Sequence, residues 1–246
     1  MLTVSQGVRV GLITQAAVLA GLLAVGLGVV GALVGVVHGA VTVGLLSRAL
    51  GRSGAGTMGP ADLVTLVRAG LVGGVAALVA DSFVGSVPVV ALTALAAVAL
   101  VLDAVDGRVA RSTGTVSGVG ARFDMEVDSV LVLLLSVYVA DSLGPWVLAI
   151  GSVHYALVLA RRGLPWLRSP VPPRYWCKVV AVVQAIVLVT VATGALPRLV
   201  AVLALVAVAA LLAESFGREV WWLWRSRRGA SGSGEQDVTA ARSVHA

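Results

Sequence analysis

Four aspartates lie close together in the chain, between two long apolar segments. Asp103 and Asp106 are three residues apart, and Asp124 and Asp128 are four residues apart. If both segments are helical, each pair projects from one face of its helix. Carboxylates gathered at the edge of an apolar segment repel one another and lose hydration, so a positive partner must lie among them. Oxygen ligands favour hard divalent cations such as Mg²⁺, and paired ions of this kind serve phosphoryl displacement.

Glycines and an arginine accompany these acids. Gly107 lies beside the first pair, and Gly118 and Gly120 precede the second pair. Glycine lets a backbone approach a bulky phosphorylated ligand closely. Arg111 offers a planar fork of donors that suits phosphate oxygens. Acids for a metal beside an arginine for phosphate predict chemistry on a phosphorylated substrate.

Membrane helices must position these residues. The 246-residue chain is 59% hydrophobic and only 12% charged, and its mean hydropathy is +1.00, which no ordinary soluble domain approaches. Residues 9–50 form one nearly uninterrupted apolar stretch, about twice the roughly 20 residues that one crossing needs. We therefore expect two passes there, with the turn at Gly26, Gly28 and Gly31.

Six further passes are predicted after a short linker. They lie near residues 61–80, 88–102, 123–140, 146–160, 178–193 and 199–222. The predicted fold class is an all-α polytopic membrane bundle, with a six-helix core and an N-terminal two-helix hairpin. The predicted domains are the hairpin 1–50, the linker 51–60, the catalytic six-helix domain 61–224 and a disordered cytoplasmic tail 225–246. The helices that carry the two acid pairs should be antiparallel neighbours.

Basic residues fall on alternate connections between the predicted passes. The basic connections hold Arg48 and Arg52; Arg108, Arg111 and Arg122; Arg161, Arg162, Arg168, Arg174 and Lys178; and Arg225, Arg227 and Arg228. The positive-inside rule puts these connections, both termini and the four aspartates on the cytoplasmic side of the cell membrane. Because topology explains the net charge of +6, no nucleic-acid partner is predicted.

The aspartate segment resembles the signature of the CDP-alcohol phosphatidyltransferase family at every fixed position. The matching pattern is Asp103-x2-Asp106-Gly107-x2-Ala110-Arg111-x8-Gly120-x3-Asp124-x3-Asp128. The six predicted helices from residue 61 onward resemble the six-helix core of that family, and the first two predicted helices lie outside it.

Two weaker resemblances flank the signature. Asp62, Thr65 and Arg68 stand where members often have Asn-x2-Thr-x2-Arg. Lys178 and Gln184 align with the element Gly-Lys-x-Lys-Thr-x2-Gln of many members, although its glycine, second lysine and threonine are replaced here. That departure leaves the alcohol acceptor open.

The resemblance implies transfer of a phosphatidyl-type group from a CDP-linked lipid, usually CDP-diacylglycerol, to a small alcohol with release of CMP. It implies that Asp103, Asp106 and Asp124 bind Mg²⁺ or Mn²⁺, as two ions, and that Asp128 is both a ligand and the general base. The residues implied for the CDP moiety are Gly107, Ala110, Arg111, Gly120, Asp62, Thr65 and Arg68. Lys178 would contact the acceptor. Many members form homodimers, which this sequence neither indicates nor excludes.

Two other classes of function stay open. A cation transporter or channel would place acids through the membrane depth on several helices, whereas the motif acids lie at one boundary. An inactive scaffold of the same fold would have an eroded motif, and this motif is intact.

The remaining polar residues within apolar segments are expected to be structural. Glu126 should turn away from the motif acids and pair between helices or at the lipid boundary, and His38 and His154 should pack. Glu214 and Glu219, near the end of the last predicted helix, are expected to pair with Arg218.

Overall fold

The computed structural model describes residues 2–53, 57–113, 118–164 and 175–243. The protein is an all-α bundle. The described helices are α1 (Val4–Ala24), α2 (Val29–Ser53), α3 (Pro60–Asp81), α4 (Val89–Thr113), α5 (Gly118–Leu143), α6 (Leu148–Gly163), α7 (Tyr175–Ala192) and α8 (Arg198–Ser243). A short 3-10 helix, Pro145–Val147, joins α5 to α6. Two-residue strands, Leu2–Thr3 and Thr57–Met58, pair antiparallel beside the start of α1.

The N-terminal apolar stretch folds as the predicted hairpin. The chain reverses between α1 and α2, where Gly26 has a φ of 98°. That left-handed conformation is strained for residues with a side chain, so glycine is the residue that permits this tight turn. The predicted turn is therefore confirmed, although Gly31 lies within the first turn of α2 rather than in the connection.

A buried carboxylate joins this hairpin to α3. Asp81, the last residue of α3, accepts hydrogen bonds from the backbone N–H groups of Gly28 at 2.7 Å and Gly31 at 3.4 Å. The first N–H groups of a helix have no partner within the helix, and the helix dipole favours a negative charge there. Asp81 thus caps α2 from a neighbouring helix and holds the hairpin against the core.

Helix α3 is the centre of the bundle. It packs against α1, α2, α4 and α5. In its apolar segment 72% of the residues are buried within the protein, whereas the share is 22–28% in the corresponding segments of α1, α2 and α8. A membrane helix that is apolar on every side and surrounded by protein is an interior helix, whereas the other three turn most of their surface outward. Residues on α3 are therefore positioned from several sides at once.

Four helices in the described part of the chain are long and apolar enough to cross a membrane: Ser5–Ala24, Val29–Arg52, Ala61–Asp81 and Arg198–Arg218. Val89–Val105 and Trp176–Ala192 are shorter apolar helices. The protein is an integral membrane protein, and four of the eight predicted passes meet the length and composition of a span. The other four coincide with helices of the bundle but stay predictions as crossings.

The last helix continues beyond the predicted membrane boundary. The backbone of α8 is helical through Ser243, whereas the sequence predicts a disordered tail from residue 225. Extending an existing helix avoids the cost of nucleating a new one, which lets a polar segment stay helical next to an apolar one. The domain boundary at residue 225 remains a prediction.

Candidate active site

Three of the four motif aspartates converge in the folded protein. Asp103 on α4 and Asp124 and Asp128 on α5 each offer a carboxylate oxygen, and these oxygens lie within 4.8 Å of one another. All three side chains are partly exposed, at 31%, 36% and 40%. An oxygen-only cluster of this size, open on one side, suits a hard divalent cation that also binds phosphate.

The acids meet around a residue of α3. Among the described residues, α4 and α5 each pack more extensively against α3 than against one another. The acidic faces of α4 and α5 meet as predicted, and both helices also share α3 as a neighbour, which the sequence did not indicate. Arg68 of α3 reaches both helices from the middle.

Arg68 is completely buried and is ion-paired with the whole described cluster. Its Nη2 lies 3.0 Å from Oδ1 of Asp103, and its guanidinium also contacts Asp124 and Asp128. Its Nε donates a hydrogen bond to the backbone carbonyl of Ala99 at 3.2 Å. A buried arginine is tolerated only when its donors are satisfied, and the planar guanidinium serves several carboxylates at once. Arg68 therefore holds α4 and α5 in register.

The charge balance leaves room for a divalent ion. With all three carboxylates ionised, the described cluster of three acids and one guanidinium carries a net charge of −2. Removing such a charge from water is costly unless it is compensated. The donor set therefore fits a divalent metal held by Asp103, Asp124 and Asp128. The sequence assigned the compensating charge to metal ions alone and missed the part played by Arg68.

The predicted nucleotide-contacting residues of α3 have local roles in the fold. Asp62 accepts a hydrogen bond from the backbone N–H of Gly59 at 2.9 Å and caps the start of α3. The hydroxyl of Thr65 donates to the carbonyl of Ala61 at 3.1 Å, and Thr65 lies one turn before Arg68. These contacts leave the predicted roles toward CDP untested.

The other predicted site residues flank the cluster. Gly107 lies one turn after Asp103 on α4, and Gly120 lies one turn before Asp124 on α5; both are half-buried. The side chains of Asp106, Ala110 and Arg111 lie outside the described residues. Lys178 is exposed in the first turn of α7, and its predicted contact with an acceptor is likewise untested.

Glu126 is separate from the metal cluster. Its Oε1 lies 3.8 Å from Nε2 of His154 on α6, which is ion-pair distance but longer than a hydrogen bond. Of the two predicted placements, lipid boundary or interhelical contact, the structure shows the interhelical one. The sequence did not identify His154 as the partner, because the 28-residue separation gives no helical spacing to detect. Of the two glutamates predicted to pair with Arg218, Glu214 does so at 2.8 Å, and Trp176 donates a further hydrogen bond to Glu214. The side chain of Glu219 lies outside the described residues.

The sequence profile described as CDP-alcohol phosphatidyltransferase matches residues 58–215. The chain belongs to this family. No curated protein and no solved structure matches the chain at a significant level.

Membership gives the site its chemistry. The protein is a transferase of substituted phosphate groups and acts in phospholipid biosynthesis in the membrane. The family depends on metal ions in general, which agrees with the aspartate cluster. The match begins just before α3 and ends within α8, so α1 and α2 lie outside it. The resemblance deduced from the motif is therefore confirmed over the six helices that contain it.

Proposed function

We propose that the protein transfers the phosphatidyl group of CDP-diacylglycerol to a small alcohol and releases CMP. The observation that carries this proposal is the convergence of Asp103, Asp124 and Asp128 around the buried Arg68. A membrane enzyme that joins a lipid donor to a water-soluble alcohol needs polar catalytic groups at the edge of the hydrocarbon, and this cluster is partly open to the outside.

The proposed reaction forms one phosphorus–oxygen bond and breaks another. The alcohol oxygen attacks the phosphorus that carries diacylglycerol, its proton passes to the carboxylate of Asp128, and the bond to CMP breaks. Mg²⁺ held by Asp103, Asp106, Asp124 and Asp128 would offset the negative charge of the pyrophosphate. Two ions are proposed because the signature supplies four acids, and Asp106 is the fourth ligand that a second ion would require.

The remaining roles follow the signature and its flanking element. We assign contacts with the CDP moiety to Gly107, Ala110, Arg111, Gly120, Asp62 and Thr65. Arg68 is assigned two roles. It orients three of the acids, and from its place beside them it would also contact the phosphates of the bound CDP moiety. Lys178 is assigned to the acceptor. These assignments rest on the signature and on the position of each residue in the chain.

The proposed location is the plasma membrane, with the site facing the cytoplasm. The alternation of arginine-rich connections supports this orientation, and CDP-linked donors and soluble alcohols meet there. A homodimer is compatible with the family, but it forms no part of the proposal because nothing in the described residues supports it.

The proposal is tested by CMP release from CDP-diacylglycerol. Protein purified in detergent with Mg²⁺ is given a panel of acceptors: inositol phosphate, glycerol phosphate, serine and inositol. We expect one acceptor to produce CMP, and Asp128→Asn to abolish this release. Asp141→Asn is the matched control, because Asp141 is an exposed aspartate at the other end of α5.

Two outcomes would contradict the proposal. CMP release that is equal in Asp128→Asn and in the unaltered protein would exclude the assigned base. Failure of every acceptor, with folded protein that binds Mg²⁺, would point to another CDP-linked donor or to a scaffold without activity.

A further inference from the structure

A second site lies on the other side of α5. An open cavity of about 760 Å³ is lined by α2, α3 and α5, and this volume falls within the range of about 300–1,000 Å³ typical of ligand sites. Its walls are mainly aliphatic, with Phe123 as the aromatic member. We refer to this cavity, whose α2 wall runs from His38 to Arg52, as the α2 groove.

The α2 groove has one basic end. Arg52 and Arg122 both line it, and the packing of Val119 and Phe123 against Leu46 and Leu50 puts the start of α5 beside the end of α2. Both arginines therefore lie at the same end of the groove, at the predicted cytoplasmic boundary. Two guanidinium groups at the end of an apolar channel are complementary to a phosphate that carries an acyl chain.

The length of the groove corresponds to one leaflet. From His38 to Arg52 the helix rises about 21 Å at about 1.5 Å per residue, which matches the roughly 20–22 Å of one leaflet when a bilayer is about 40–45 Å thick with its headgroup regions. Val41 and Leu45 on its rim are 52% and 59% exposed, so the groove opens sideways toward the bilayer. At its deep end, Nδ1 of His38 is buried without a hydrogen-bond partner among the described residues.

The groove and the aspartate cluster lie on different faces of α5. At about 100° per residue, the midpoint between Glu126 and Val130 is about 160° around the helix from the midpoint between Asp124 and Asp128. A lipid in the groove would thus keep its phosphate away from the cluster. Glu126 also lines the groove, one turn beyond Arg122, where its carboxylate lies 3.8 Å from Nε2 of His154.

We propose that the α2 groove binds one anionic phospholipid of the surrounding bilayer. An acyl chain lies along α2, and the phosphate lies between Arg52 and Arg122. This lipid is distinct from the CDP-linked substrate. Since α2 lies outside the family match, the site is a feature that the N-terminal hairpin adds to the common core, and its occupancy does not depend on the proposed function.

Lipid binding is tested directly by native mass spectrometry of the delipidated full-length protein. The probes are dioleoylphosphatidylglycerol and its zwitterionic counterpart, dioleoylphosphatidylcholine. We expect one phosphatidylglycerol molecule to bind at saturation, with phosphatidylcholine bound on the order of tenfold more weakly because two arginines favour the net negative charge. Arg52→Gln combined with Arg122→Gln should weaken phosphatidylglycerol binding by a similar factor.

Matched variants separate the groove from general effects. Arg48→Gln removes an exposed arginine one turn earlier on α2 that does not line the cavity, and it should bind as the unaltered protein does. Ala49→Phe should fill the groove and reduce occupancy even if the double arginine variant fails to fold. Ala40→Phe is its control, because Ala40 is exposed on α2 and outside the cavity lining.

Several outcomes would overturn the inference. Equal affinity for the two lipids would remove the role of the arginines, and unchanged binding by Ala49→Phe would place the lipid elsewhere. Stoichiometric displacement by CDP-diacylglycerol would make the groove part of the donor site. A lipid-free dimer whose formation Ala49→Phe prevents would make a second copy of the chain the occupant.

Discussion

The buried Nη2 of Arg68 lies 3.0 Å from Oδ1 of Asp103, although the two residues belong to different helices and are 35 positions apart in the chain. The same guanidinium contacts Asp124 and Asp128 on a third helix. An arginine thus lies within the acidic cluster before any metal is considered. The stability of the protein and its affinity for metal should therefore be linked through this one side chain.

Replacing Arg68 should destabilise the fold. Arg68→Gln leaves three close carboxylates without their positive partner; a fully buried pair broken in this way costs about 3–5 kcal/mol, and the cost here should be smaller because the carboxylates are partly exposed. Thermal unfolding in detergent should show a clear loss of stability that Mg²⁺ partly reverses, because a divalent ion supplies the missing charge. Arg198→Gln, at an exposed position, is the control. Unfolding temperatures that match in the two variants would contradict the role given to Arg68.

Magnesium should stabilise the unaltered protein through the aspartate cluster. Anything that binds only the folded state raises its stability, by about 2.7 kcal/mol at a hundredfold excess over Kd. We expect Asp103→Asn and Asp124→Asn to lose most of this Mg²⁺-dependent shift in melting temperature, and Asp141→Asn to keep it. A shift of the same size in all three variants would locate metal binding outside the cluster.

The cap that joins Asp81 to α2 should contribute measurably to stability. Asp81→Asn removes the negative charge at the helix N-terminus, and Asp81→Ala removes the hydrogen bonds as well, with an expected loss of about 0.5–2 kcal/mol for the latter. Gly28→Ala tests the same contact from the other side, because a Cβ at residue 28 would come within 2.5 Å of Oδ1 of Asp81.

Limited proteolysis at the turn between α1 and α2 measures this effect. Cleavage should be faster in Asp81→Ala and Gly28→Ala than in the unaltered protein. Gly21→Ala is the control, since a Cβ at residue 21 would meet no atom within 4 Å. Cleavage rates that are the same in all of these proteins would show that the cap does not hold the hairpin in place.

Thr65 offers a way to distinguish nucleotide binding from a structural role. Its hydroxyl already donates to the carbonyl of Ala61 within α3. If it also contacts CDP, Thr65→Val should raise KM for CDP-diacylglycerol by roughly 2- to 12-fold, which corresponds to one hydrogen bond of about 0.5–1.5 kcal/mol. The melting temperature should change little. A lower melting temperature with an unchanged KM would assign Thr65 to the fold alone.

Sequence reasoning was most successful where the information is local. The hairpin turn at Gly26 was predicted because a 42-residue apolar stretch is about twice as long as one crossing needs, and because glycine permits the required φ. The acids were identified because helical spacing and the family signature are both properties of a short segment. Three of them converge as predicted, at Asp103, Asp124 and Asp128.

Sequence reasoning did not predict the contacts between distant segments of the chain. Neither the position of Arg68 among the acids nor the pairing of Glu126 with His154 follows from residue spacing. Such contacts depend on how each helix is rotated about its axis and which helix it packs against. The sequence predicted that the acidic faces of α4 and α5 meet, but it gave no sign that α3 packs against both helices at that point.

The sequence by itself determined the class of the protein: its apolar segments require membrane helices, and its aspartate signature identifies a CDP-alcohol phosphatidyltransferase. Only the tertiary structure showed that the guanidinium of Arg68 lies among the acids, that Asp81 joins the hairpin to the core and that α2 lines an open groove. The physical reason is range. Hydropathy and helical period act over a few turns of one helix, whereas charge compensation, capping between helices and cavities arise only when separate helices are packed together.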